Sequence, residues 1–283
     1  MSIETISEQR CFGGVQGFYR HASKVNGGPM KFGVFRPPLV AGEQAPVLFY
    51  LAGLTCNEET FAIKAGAQRL AAELGLVLVT PDTSPRDTGI AGAVGDWEFG
   101  EGAGFYVDAT ESEFASRFRM CSYVTRELPD VVAEHFAEAD LDRQGIFGHS
   151  MGGHGALTIA LTHPSRYLSV SAFAPIVAPS QVPWGRKALP RYLGADEKAW
   201  RASDTVALLE DGHTFPGTIL VDQGYADKFL ESQLQHWRLD AAARAAGQSL
   251  TLRVHAGYDH SYWFVQSFIE DHLLHHAAQL RGG

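Results

Sequence analysis

Gln144-Gly145-Ile146-Phe147-Gly148-His149-Ser150-Met151-Gly152-Gly153-His154-Gly155-Ala156-Leu157 decides how the rest of the chain reads. Residues 144–147 are short and apolar, like a buried strand. Residues 148–152 form a G-x-S-x-G turn, and residues 152–161 are small and apolar, suited to a helix lying close on a sheet. Strand, sharp turn and helix in that order lift a serine hydroxyl clear of the sheet. Gly148 and Gly152 carry no Cβ, so strand and helix can approach each other there. The helix N-terminus behind Ser150 favours developing negative charge. The bare pentapeptide could be a plain glycine-rich turn, but both flanks fit the nucleophile reading.

Outward from this turn, Val47-Leu48-Phe49-Tyr50-Leu51 is a continuous apolar run, as expected of a central strand buried on both faces. On the N-terminal side, residues 10–21 read as an edge strand and residues 30–35 as a second strand. Pro37-Pro38 stops pairing, and residues 40–45 read as a hairpin loop. Residues 60–74 have helical spacing and end at Gly75; residues 76–79 are the next strand. Residues 84–108 are long and irregular. Six glycines punctuate that stretch and Trp97, Phe99, Phe105 and Tyr106 interleave with them, which argues for a functional loop rather than disorder. Residues 118–137 predict a long helix that Pro129 kinks or divides. Beyond the turn come strands at 168–173, 217–221 and 249–254, and helices at 231–246 and 262–280. Strands alternate with helices after Val47, so the sheet should be mostly parallel, with antiparallel strands at its N-terminal edge and helices on both faces. The expectation is one α/β domain over residues 1–283, with a small cap-like excursion at about 175–203.

Composition bounds the function. At 283 residues and 45% hydrophobic, the chain can bury a large core. No apolar run reaches the ~18 residues of a membrane span, and the first residues lack the pattern of a signal peptide. Cys11, Cys56 and Cys121 are few and widely spaced; they suggest neither metal ligation nor disulfides, and favour a reducing cytoplasm. A net charge of −9 argues against a nucleic-acid partner. An anionic substrate would need local cations.

A serine hydroxyl needs a base to remove its proton, and the base needs an acid to orient it. The α/β-hydrolase fold places these in the order Ser, Asp or Glu, His, with acid and base in loops after late strands. After the last predicted strand, His260 sits at a loop tip between Gly257 and the final helix. His255 is still in strand register and reads as structural. His149 and His154 flank the serine and are expected to pack or bond within the turn. His272, His275 and His276 are expected on a solvated helix face. For the acid, Asp222 and Asp227 both follow the strand near 217–221, and order alone does not choose between them. Oxyanion stabilisation calls for two backbone N–H groups: one from Met151 after the nucleophile, the other from Leu54 in the loop after the central strand. Cys56, two residues on, reads as a bystander lining the pocket.

Several stretches together resemble the S-formylglutathione hydrolases, the esterase D family of serine hydrolases. These are Leu51-Ala52-Gly53-Leu54-Thr55-Cys56-Asn57-Glu58, Gly104-Phe105-Tyr106-Val107-Asp108-Ala109-Thr110, the turn around Ser150, Pro183-Trp184-Gly185-Arg186-Lys187-Ala188, Asp222-Gln223-Gly224, Asp227 and Gly257-Tyr258-Asp259-His260-Ser261-Tyr262. The resemblance runs from about residue 10 to 275. It implies a triad of Ser150, Asp227 and His260, hydrolysis of S-formylglutathione to formate and glutathione, no cofactor or metal, and a homodimer. One departure is Asp87, where the family tends to carry glycine. Trp97, Phe105 and Trp184 are expected to close a shallow acyl pocket. Lys187, with Arg186 and Lys64, is a candidate for the glutathione carboxylates. A general short-chain carboxylesterase or an acyltransferase would use the same residues, and a catalytically inactive binding module is the reading from another class. Leaving-group preference separates the first two from the glutathione thioesterase, and labelling by a fluorophosphonate tests the third.

Overall fold

The computed structural model describes residues 2–281. Among them nine strands form one sheet, in the order β1-β2-β3-β5-β4-β6-β7-β8-β9. The first three, β1 (Ile3–Cys11), β2 (Gly14–Ser23) and β3 (Gly28–Arg36), form an antiparallel meander. The predicted edge strand at 10–21 is therefore divided between two strands by a turn at Phe12-Gly13, where both residues have positive φ. The true edge is β1, whose mostly polar residues give little apolar signal.

β4 (Ala45–Leu51) lies at the centre and is buried along its whole length. β3 does not pair with it. The segment at 40–45 is thus no hairpin loop: β3 instead pairs antiparallel with β5 (Val77–Pro81). The intervening chain contains α1 (Thr60–Lys64) and α2 (Gln68–Leu74), one predicted helix broken at Gly66, whose φ is +68°. Next, α3 (Met120–Ser122) runs through a π turn at Tyr123–Glu127 into α4 (Leu128–His135). The π turn stands just before Pro129, whose missing N–H would otherwise leave a gap in the helical ladder.

The remaining strands are parallel: β6 (Ala139–His149), β7 (Ser169–Phe173), β8 (Ile219–Gly224) and β9 (Leu250–His255). Between β6 and β7 lies α5 (Met151–Thr162). The excursion after β7 holds α6 (Pro183–Leu193), α7 (Glu197–Trp200) and α8 (Thr205–Glu210). α9 (His236–Ala246) precedes β9, and α10 (Tyr262–Arg281) follows it.

Helices cover both faces of the sheet, and β7 shows how. Side chains alternate along a strand. Ser169 and Ser171 hydrogen-bond to His276 and His272 of α10. Ala172 points the other way, where a Cβ on Gly153 of α5 would stand 3.3 Å from its own. The expected solvated face of α10 is thereby corrected: His272 and His276 are fully buried and His275 is partly so.

Candidate active site

Ser150 joins the end of β6 to the start of α5 with φ +59° and ψ −118°. A serine rarely holds that conformation, so the surrounding structure must impose it. Ser150 N–H donates to Phe173 O at 2.9 Å, and Ser150 O accepts from His154 N–H at 3.0 Å. The glycines on either side leave no room for a side chain. A Cβ on Gly152 would lie 1.9 Å from Leu51 O, and one on Gly148 would lie 2.3 Å from Gly152 O.

Three residues far apart in sequence converge at this turn. His260 Nε2 stands 2.9 Å from Ser150 Oγ, and His260 Nδ1 stands 2.5 Å from Asp227 Oδ2. The Asp227 side chain is wholly buried. Its other oxygen accepts from Phe229 N–H at 2.8 Å. The His260 ring is set edge-on to Phe229 and tilted against His149. Gly257, at φ +81°, turns the chain ahead of His260.

Asp222 belongs to a different cluster. Its carboxylate takes both arms of the Arg253 guanidinium, at 2.6 and 2.5 Å, and also meets His255 and His272. Burial alone would raise its pKa, but the hydrogen bonds from His272 and Arg253 outweigh it and hold the carboxyl well below the usual range. Its backbone carbonyl accepts from Ala174 N–H at 2.7 Å, one residue beyond β7.

The cavity over Ser150 measures about 240 Å³. Leu54, Cys56, Trp97, Trp184, Phe229, His149, Ser261 and Tyr262 are among its walls. Leu54 follows β4 in a loop braced by Thr55 N–H to Gly102 O and by Tyr106 Oη to Ala52 O, both 2.9 Å. Among the described residues, the Leu54 and Met151 N–H groups have no protein acceptor. The Cys56 thiol is pushed up by burial, with partial relief from Thr60 and Tyr262. A raised thiol holds little thiolate, which removes its main route to nucleophilic attack.

Two expected pocket residues lie elsewhere. Phe105 is fully buried and does not line the cavity; its carbonyl meets His154 Nε2 at 3.0 Å and its ring packs near the same imidazole. It sits behind α5, so it holds the turn rather than the acyl group. Lys187 does not line the cavity either. Its ammonium is held by Asp96 at 2.9 Å and Glu98 at 2.7 Å. Glu98 also accepts from Trp184 Nε1 at 2.9 Å, so this lysine braces the wall tryptophan from outside. Arg186 is likewise paired, with Glu197.

His149 corrects a further expectation. It does not bond within the turn but lines the cavity, and neither ring nitrogen has a partner among the described residues. Burial, then the neighbouring His260, hold its pKa well below normal, so the ring is neutral. Neither Phe229 nor Tyr262 was expected among the pocket residues, yet both line the cavity. A signal was present, since each stands two residues beyond a proposed triad member.

Asp87, where the family tends to carry glycine, adopts φ +51°. Aspartate tolerates this left-handed conformation better than most residues. Glu101 then holds the loop, accepting from Asp87 and Thr88 N–H at 3.0 and 2.8 Å. Among the described residues no helix is long and apolar enough to cross a membrane, and no His, Cys, Asp and Glu cluster could hold a metal ion.

The Esterase family model matches residues 23–275. The chain is 51% identical over 280 residues to S-formylglutathione hydrolase of Paracoccus denitrificans, covering 99% of each chain. The solved structure of an S-formylglutathione hydrolase from Agrobacterium tumefaciens is 50% identical, with a TM-score of 0.95 over 98% of this chain and 99% of that one. A fluorophosphonate-binding serine hydrolase from Staphylococcus aureus, at 16% identity, has a TM-score of 0.75 over 93% and 98% of the two chains, a likeness of fold alone. With a mostly parallel sheet, a serine at the sharp turn after β6 and these relatives along its whole length, the chain belongs to the S-formylglutathione hydrolases of the esterase family.

Proposed function

We propose that this chain hydrolyses S-formylglutathione to formate and glutathione through a formyl-enzyme on Ser150. One observation carries the reaction type: the line from Ser150 Oγ through His260 to the buried Asp227 carboxylate, at 2.9 and 2.5 Å. Asp227 keeps a proton on Nδ1 and orients the ring, which leaves Nε2 as the acceptor. Nε2 takes the hydroxyl proton as Oγ bonds to the formyl carbon. The carbonyl oxygen becomes an alkoxide, and the Leu54 and Met151 N–H groups donate to it. Collapse breaks the C–S bond, and the Nε2 proton passes to the departing sulfur. Water then gives a proton to Nε2 and adds to the formyl ester. The second tetrahedral species expels Oγ, which recovers that proton, and formic acid leaves and ionises.

The substrate rests on relatives at 51% and 50% identity that are named for it. A cavity of about 240 Å³ walled by Trp97, Trp184 and Phe229 suits a very small acyl group. A cytoplasmic location and a homodimer belong to the same reading. The first is supported by three free cysteines, which suit a reducing compartment, the second by the family resemblance. The deciding experiment measures kcat/KM for S-formylglutathione, S-acetylglutathione, p-nitrophenyl acetate and a long-chain p-nitrophenyl ester. S-formylglutathione should be fastest by a wide margin. Equal or faster turnover of the long-chain ester would overturn the reading and leave a general carboxylesterase.

A further inference from the structure

The wall of the catalytic cavity continues into a second hollow. Ser261 and Tyr262 line both, and the second, of about 640 Å³, adds Ile63, Lys64, Trp263 and Gln266. It lies between the end of α1 and the first turn of α10. Ile63 and Trp263 are 69% and 77% exposed there, which leaves apolar area uncovered in this second hollow. Lys64 Nζ stands 5.8 Å from the centre of the Tyr262 ring. A second ammonium, Lys228 Nζ, stands 4.9 Å from the centre of the Phe229 ring. Both rings are walls of the catalytic cavity.

The two lysines differ from their neighbours in one respect. Lys187 is paired with Asp96 and Glu98, Arg186 with Glu197, and Arg191 with Asp96. Lys64 and Lys228 rest on aromatic rings instead, and among the described residues neither has a carboxylate partner. In a chain of net charge −9, two uncompensated cations resting on rings that wall one cavity form a local exception to the overall field. The ring contact also limits where each ammonium can sit, so less freedom is lost on binding an anion.

We propose that Lys64 and Lys228 bind the two carboxylates of the peptide leaving group. Glutathione bears those carboxylates on the two arms that diverge from its cysteine. With the sulfur over Ser150, the longer γ-glutamyl arm lies in the hollow along Ile63, Trp263 and Lys64, and the glycyl arm reaches Lys228. The lysines set leaving-group specificity and touch no reacting atom. The inference rests on the glutathione-thioester reading above and adds the site that recognises the peptide.

The test compares S-formylglutathione with its diethyl ester, in which both carboxylates are blocked. The wild type should prefer the free acid by about tenfold in kcat/KM, roughly threefold from each exposed ion pair, and added salt should erode that preference. In Lys64→Ala/Lys228→Ala the ratio of acid to diester should fall to about one. Both lysines are exposed, so the double variant should melt like the wild type. A double variant that keeps the wild-type ratio overturns the proposal. So does a wild type that favours S-formylglutathione over p-nitrophenyl acetate yet turns over acid and diester alike. A wild type with no preference for S-formylglutathione over p-nitrophenyl acetate sinks the substrate reading instead, so the two failures are distinguishable.

Discussion

Asp222 and Asp227 lie five residues apart and serve different neighbours. Asp227 holds His260, while Asp222 holds Arg253, His255 and His272. Removing each should therefore fail differently. Ser150→Ala, His260→Ala and Asp227→Asn should each lower kcat by about 10⁴-fold or more with little change in melting temperature. Double variants should lose little beyond the singles, because the three act as a unit. Asp222→Asn leaves Arg253 facing a neutral amide, so it should cost about 3 kcal/mol of stability while the folded fraction still turns over. Steady-state kinetics with thermal melts on the same preparations would decide. A folded Asp222→Asn that is as inactive as Ser150→Ala would show that the acid has been misassigned.

At the scale of the element, the turn between β6 and α5 is packed backbone against backbone. Gly152 lies under Leu51 O, and Ser150 is held at positive φ by bonds to Phe173, His154 and Ile176. Gly152→Ala has no flexible neighbour to displace, since the nearest atoms are the carbonyls of β4 and its following loop. It should cost about 3 kcal/mol and also move Ser150 away from His260. Urea denaturation and fluorophosphonate labelling would register the two effects separately. Wild-type stability in Gly152→Ala would mean that the helix can slide away from β4, against this packing. The π turn before Pro129 and the break at Gly66 belong to the same scale. In both, a helical pattern in the sequence survives in space only with a local change of winding.

Across the whole molecule, a group of histidines is buried neutral. Burial depresses the pKa of His149, His154, His272 and His276, and takes His154 to about 4. An unfolded histidine titrates near 6.5, so as the pH falls below that value the unfolded chain gains protons that the folded one refuses. Stability is therefore complete above pH 6.5 and declines toward each folded pKa. His154 alone accounts for on the order of 2 kcal/mol by pH 5, and the others act in the same sense. Asp82, Glu58 and Asp204, whose carboxyls burial pushes up, act oppositely and offset part of the loss. Urea denaturation should give a lower unfolding free energy at pH 5 than at pH 7. A flat profile over that interval would mean either that these carboxyls offset the histidines in full or that the rings are already protonated in the fold.

The sequence by itself determined the turn at Ser150, the buried central strands and the choice of His260 over His255. Each of these is written locally, in glycine placement, apolar runs and the order of loops after strands. Between Asp222 and Asp227 local signals were silent, and only the resemblance to a family favoured one. The tertiary structure decided what depends on residues a hundred positions away. The imidazoles of α10 look like a wet helix face until Ser169 and Ser171 of β7 are seen to bond them from across the sheet. Phe105 and Lys187 carry the right chemistry for a pocket but stand one layer behind it. Phe229 and Tyr262 become its walls because the loops after β8 and β9 fold back over Ser150. Periodicity reports which face of an element is apolar; which distant side chain fills that face is set only when the sheet closes its strands into order.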